Sequence, residues 1–109
     1  GRLYASYNVP SEVACLNSQT NRTLFKSPTS ANPRTIALSD NQRFLFAACY
    51  EGNSIDVFKI NQGNFRKVYS IPCEGKPVGI DLREDLDKLE AWVCTYKGNT
   101  LQVFTFEKR

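Results

Sequence analysis

Apolar and polar positions alternate with period two along most of this chain, interrupted by short runs of β-branched and aromatic residues. Helical periodicity is weak throughout. The pattern predicts strands at about 34–39, 44–50, 54–60, 65–72, 77–83, 89–96 and 100–106, with three more at Leu3–Asn8, Glu12–Leu16 and Thr23–Lys26. Turn formers separate them: Ser39-Asp40-Asn41, Glu51-Gly52-Asn53, Asn61-Gln62-Gly63-Asn64, Glu74-Gly75-Lys76 and Lys97-Gly98-Asn99. The only helix candidate, Arg83–Leu89, is dense in charge with a short apolar stripe, and reads as a charged hairpin loop.

The strand pattern repeats. Ala48–Ile60 aligns with Cys94–Phe106 at an offset of 46 residues: Tyr50 meets Tyr96, Gly52 meets Gly98, Asn53 meets Asn99, Val57 meets Val103 and Phe58 meets Phe104. Upstream, Pro33, Ile36 and Leu38 meet Pro77, Ile80 and Leu82 at an offset of 44, which puts two extra residues in the turn holding Asp85 and Asp87. A fainter copy precedes these. Four antiparallel strands per roughly 45 residues is the spacing of a β-propeller blade. In this reading Gly52-Asn53 and Gly98-Asn99 supply the positive φ of tight hairpins, and Pro33 and Pro77 open innermost strands.

The segment Phe46-Ala47-Ala48-Cys49-Tyr50-Glu51-Gly52-Asn53-Ser54-Ile55-Asp56-Val57-Phe58 resembles the blade motif of YVTN/lactonase-like seven-bladed propellers, and Trp92–Phe106 is a second match. WD40 blades are similar in outline, but the Gly-His pair and Trp-Asp ending are missing. The resemblance covers residues 32–106 well and 1–31 poorly. It specifies a blade type rather than an activity. Propeller enzymes of this kind place His, Arg and Glu in the central channel; with no His in the chain, catalytic residues are not carried over.

The expected fold is therefore all-β: about two and a half four-stranded antiparallel blades, with a partial blade at 1–31, a full blade at 32–75 and a partial blade at 76–109. A closed propeller needs at least about four blades. Either the rest of a larger propeller or further copies of the chain complete it; the alternative is a small β-sandwich or barrel of ten short strands. A free monomer would leave two apolar blade faces uncovered.

Composition narrows the chemistry. The chain has 109 residues, no His and no Met, a net charge of +3 and a pI near 8.7. Without His, Ser-His-Asp triads and His metal ligands are excluded within the chain. The fourteen basic residues look scattered, with Arg66-Lys67 and Lys108-Arg109 the adjacent pairs, so a nucleic-acid footprint is not expected, and with no apolar run near the roughly 20 residues of a membrane span, neither is a membrane partner. The cysteines at 15, 49, 73 and 94 form no CxxC; they read as reduced thiols, with 15, 49 and 94 buried, favouring a cytoplasmic over a secreted protein. The Gly-Arg start suits a processed or excised chain. The acidic group Asp81, Glu84, Asp85, Asp87 and Glu90 reads as a solvated turn, and no metal or cofactor is expected.

In a propeller, the outer-to-inner connections share one face with the hairpins between second and third strands. That map gathers Arg34, Tyr50, Glu51, Asn53, Lys76, Tyr96 and Lys97 on one rim, where aromatic and Arg side chains suit a protein partner. The expected function is a non-enzymatic protein-interaction scaffold. The alternatives are part of a lactonase- or cyclase-type propeller enzyme, or a sugar-binding oligomeric propeller.

Overall fold

The computed structural model describes residues 1–107; the Lys108-Arg109 pair, and with it the end of the 76–109 segment, lies outside the described residues. Ten strands and no helix are found among the described residues. They are β1 (Arg2–Asn8), β2 (Ser11–Asn17), β3 (Thr23–Pro28), β4 (Pro33–Leu38), β5 (Phe44–Cys49), β6 (Ser54–Asn61), β7 (Asn64–Pro72), β8 (Lys76–Glu84), β9 (Lys88–Tyr96) and β10 (Leu101–Glu107). Each strand predicted from the alternation is present. Its ends differ by a residue or two, because capping residues extend a ladder without changing its period. The charged segment after Arg83 is a hairpin: Asp85 Oδ1 accepts from the Asp87 and Lys88 backbone N–H groups at 3.0 and 2.8 Å.

The strands pair only with sequence neighbours, always antiparallel, in three separate sheets: β1-β2-β3, β4-β5-β6-β7 and β8-β9-β10. Three stacked sheets are propeller blades and not one barrel, which sets aside the sandwich alternative. The first strands converge, with β4 packed against both β1 and β8, and β3 packs against β7 at the outside. The repeat has one local departure. β8 and β9 have nine residues each against six in β4 and β5. The two additional residues thus lengthen the ladder, whereas the predicted site was the turn.

The middle blade forms the core because its period-two alternation serves both neighbours. From β5 and β6, Phe46, Ala48, Ile55 and Val57 meet Leu89, Ala91 and Val93 of the third blade. The intervening Leu45, Ala47, Cys49, Phe58 and Ile60 join Val13 of the first blade. Edge-on aromatic pairs close both layers: Phe46–Phe106 at 5.5 Å, and Tyr4–Phe65 and Phe58–Phe65 at 5.8 and 6.0 Å. The end blades leave apolar residues uncovered on the faces turned away from the middle blade: Leu3 on the first, and Trp92, Leu101 and Val103 on the third. Cys94, expected buried, is exposed, since alternation along β9 turns it away from the core that Val93 and Thr95 face. All four thiols are free, Cys15 and Cys49 buried and Cys73 half-buried.

Candidate functional site

The two prolines at the heads of the inner strands share a backbone device. Pro33 pairs with Cys49 and Thr35 with Ala48, so Arg34 is the extra residue of a bulge; Pro77 and Gly79 bracket Val78 in the same way. A proline lacks the N–H a continuous ladder would use, so it fits a strand start or a bulge. Thr35 Oγ1 donates to the Val78 carbonyl at 3.1 Å, joining the two bulges.

The bulge carries Arg34 to the end of β5. Its guanidinium carbon lies 4.8 Å from the centre of the Tyr50 ring, and Lys76 Nζ approaches the same ring at 5.1 Å. Lys76 also reaches Glu51 Oε2 at 3.5 Å. Backbone bonds hold the surrounding loops: Tyr50 N–H to Asn32 O at 2.7 Å, Gly52 N–H to Ala31 O at 3.1 Å and Cys73 N–H to Asn53 O at 2.8 Å. Four of the seven rim residues picked from sequence, Arg34, Tyr50, Glu51 and Lys76, thus form one group of two cations, a carboxylate and a phenol ring. Asn53 serves the turn instead, at φ 52 with its carbonyl occupied by Cys73. Tyr96 and Lys97 lie on the next hairpin, Tyr96 exposed and Lys97 at φ 71, and stand apart from that group.

The hairpin glycines do another job than expected. Positive φ falls on Asn53 and Asn99, not on Gly52 or Gly98. A Cβ on Gly98 would stand 2.7 Å from the Glu74 carbonyl oxygen, and one on Gly52 2.9 Å from Ser30 Cβ. Each glycine admits the connection from the preceding blade.

A side chain that sequence reading passed over fastens that connection. Asp56, fully buried on β6, accepts from Ser30 N–H at 2.7 Å, Ser30 Oγ at 3.0 Å and Ser70 Oγ at 2.8 Å, and pairs with Lys67 Nζ at 3.1 Å. Burial alone would raise its pKa; the Ser30 N–H, the Ser70 hydroxyl and Lys67 outweigh it and hold the carboxyl below its ordinary value. Burial, with the Asp56 charge nearby, pushes the Cys49 thiol up to about 12. Gln102 stands at the matching place in the third blade, and its Oε1 accepts from the Glu74 N–H at 3.1 Å. The acidic group contains an Arg83–Glu90 pair at 3.6 Å, and Glu84 Oε1 accepts from the Asp40 N–H. Among the described residues no three His, Cys, Asp or Glu side chains are grouped so as to hold a metal ion, and no helix is long and apolar enough to cross a membrane.

Residues 2–105 match the family model described as "Lactonase, 7-bladed beta-propeller". No curated protein matches the chain. Among solved structures, a hydrazine synthase from Kuenenia stuttgartiensis superposes over 97% of this chain and 30% of its own, with TM-score 0.75 and 20% identity. A Lactobacillus plantarum protein does so over 94% and 37%, with TM-score 0.66 and 18% identity. These likenesses bear on fold alone, and the chain spans about a third of either structure. The family match corrects the expectation of a chain that is not an enzyme. The lack of His bears only on chemistry confined to these 109 residues, whereas a propeller site draws on loops from many blades.

Proposed function

This chain belongs to the lactonase family of seven-bladed β-propellers, and we propose that it supplies part of the wall and one rim of an enzyme that opens cyclic esters with water. The supporting observation is the Arg34–Tyr50–Glu51–Lys76 group at the heads of the converging inner strands. When water adds to a lactone carbonyl, negative charge grows on the carbonyl oxygen before the ring C–O bond breaks to give the hydroxy acid. Arg34 and Lys76 bring positive charge to that oxygen. Glu51 is the carboxylate at hand to take the proton of the attacking water and return it to the ring oxygen as the C–O bond breaks. The Tyr50 ring holds both cations at the rim by its π face. The uncovered apolar faces of the first and third blades are the seats of neighbouring blades, so the partner in this reading is the remainder of the propeller.

The test is steady-state hydrolysis of a panel of γ- and δ-lactones by the whole protein. Arg34→Ala, Lys76→Ala and Glu51→Gln are each expected to lower kcat/KM, the cation variants by about 10²-fold or more. Absence of hydrolysis across the panel overturns the activity; unchanged turnover in all three variants overturns the site.

A further inference from the structure

The opposite end of the blades holds a second concentration of charge, unrelated to the Arg34–Lys76 group. Arg2, Arg43, Lys59 and Arg66 line a cavity of about 820 Å³ between the first and middle blades, with Asp40 the one acidic residue in its lining. It lies where β5 begins and β6 ends, a strand's length from Tyr50, or roughly 20 Å at about 3.3 Å per residue. The size is that of a small-molecule site.

Three features set this cavity apart from a solvated surface. First, none of its four cations takes part in a salt bridge among the described residues, whereas Lys26, Lys67, Lys76 and Arg83 do. Second, Lys59 and Arg66 are direct cross-strand partners on β6 and β7. Like charges set opposite in this way destabilise a sheet unless an anion lies between them. Third, the walls are prearranged. Ser39 Oγ donates to Asn41 Oδ1 at 2.7 Å, which also accepts from Arg43 N–H at 3.0 Å, and Ile60 N–H donates to Arg43 O at 2.7 Å. Asn41 is left with a free amide NH₂ group to donate. Tyr4 and Phe65, packed edge-on, back the cavity from the core.

We propose that this cavity binds a small polyanion bearing phosphate or carboxylate groups. The forked guanidinium groups of Arg2, Arg43 and Arg66 suit paired anionic oxygens, and Lys59 adds a point charge. The cavity is bounded on two sides by blades of the chain itself, which favours a compact ligand over an extended polymer.

Isothermal titration of the whole protein with pyrophosphate and with citrate at low salt tests this. Saturable one-to-one binding of either is expected, and the stronger of the two identifies phosphate or carboxylate as the group recognised. Arg43→Gln and Lys59→Gln, both at exposed positions, should each weaken binding about tenfold; the thermal midpoint without ligand should stay unchanged in Arg43→Gln and rise slightly in Lys59→Gln, which relieves the Lys59–Arg66 repulsion. No binding of either ion, or binding that both variants leave intact, overturns the proposal. So does binding of a single-stranded oligonucleotide without binding of the small ions, which would make this end a nucleic-acid surface. The readout is independent of lactone turnover, so failure here leaves the rim site standing.

Discussion

The middle and third blades solve one problem at the same repeat position with different chemistry. Each must satisfy the backbone N–H of the connection arriving from the blade before it. The middle blade uses Asp56, fully buried and bonded to Ser30, Ser70 and Lys67. The third uses Gln102, a single neutral acceptor for Glu74 N–H in a partly exposed strand. The repeat therefore demands an acceptor, not a charge. A charge is tolerated only where several donors converge to replace the water that burial removes.

Replacing Asp56 should break this comparison hardest. Asp56→Ala leaves the Ser30 N–H and the Ser70 and Lys67 side chains without their acceptor, and we expect a loss of about 3 kcal/mol in urea unfolding. The carboxyl's folded pKa lies below its unfolded one. Its contribution is therefore complete above the ordinary carboxylate range and is lost as pH falls through that range toward the native value. Acid unfolding of the wild type should show this slope, and Asp56→Asn should flatten it. The neighbouring Cys49 acts at the other limb. Its thiol is raised from 9.0 to about 12, so stability is whole below 9 and declines as pH rises toward 12. Alkaline unfolding of Cys49→Ala should lack that decline.

Gly98→Ala comes next. Its added methyl meets the Glu74 carbonyl at 2.7 Å, and a cost of about 1–3 kcal/mol is expected in the thermal midpoint. Gly79→Ala is the control, with nothing within 4 Å of the new atom; it should be neutral or slightly stabilising. The smallest effect belongs to Gln102→Ala, about 1 kcal/mol, with Gln102→Glu retaining the acceptor. Equal losses from Asp56→Ala and Gln102→Ala would refute the distinction between the two blades.

The strands were legible because alternation is local, and the blades because Tyr50, Gly52, Asn53, Val57 and Phe58 recur in register. The convergence of Arg34, Tyr50, Glu51 and Lys76 was legible too, since repeat geometry says which loops share a rim. Asp56 was not. Its partners Ser30 and Ser70 lie 26 and 14 residues away, and a lone Asp in an alternating strand looks like an outward position. The signal available was the polar residue recurring as Gln102 between apolar neighbours. Likewise Arg2, Arg43, Lys59 and Arg66 look scattered along the chain, and only the stacking of two blades gathers them. Cys94 was misjudged because its apolar run has two faces and only one meets the core.

The fastening of each connection from ahead also has a temporal side. Ser30 precedes its acceptor by 26 residues and Glu74 precedes Gln102 by 28. On a ribosome, where the chain emerges from its N-terminal end, each connection stays untied until the third strand of the next blade has been made. Assembly therefore runs one blade behind synthesis, and every blade added locks the entry to itself.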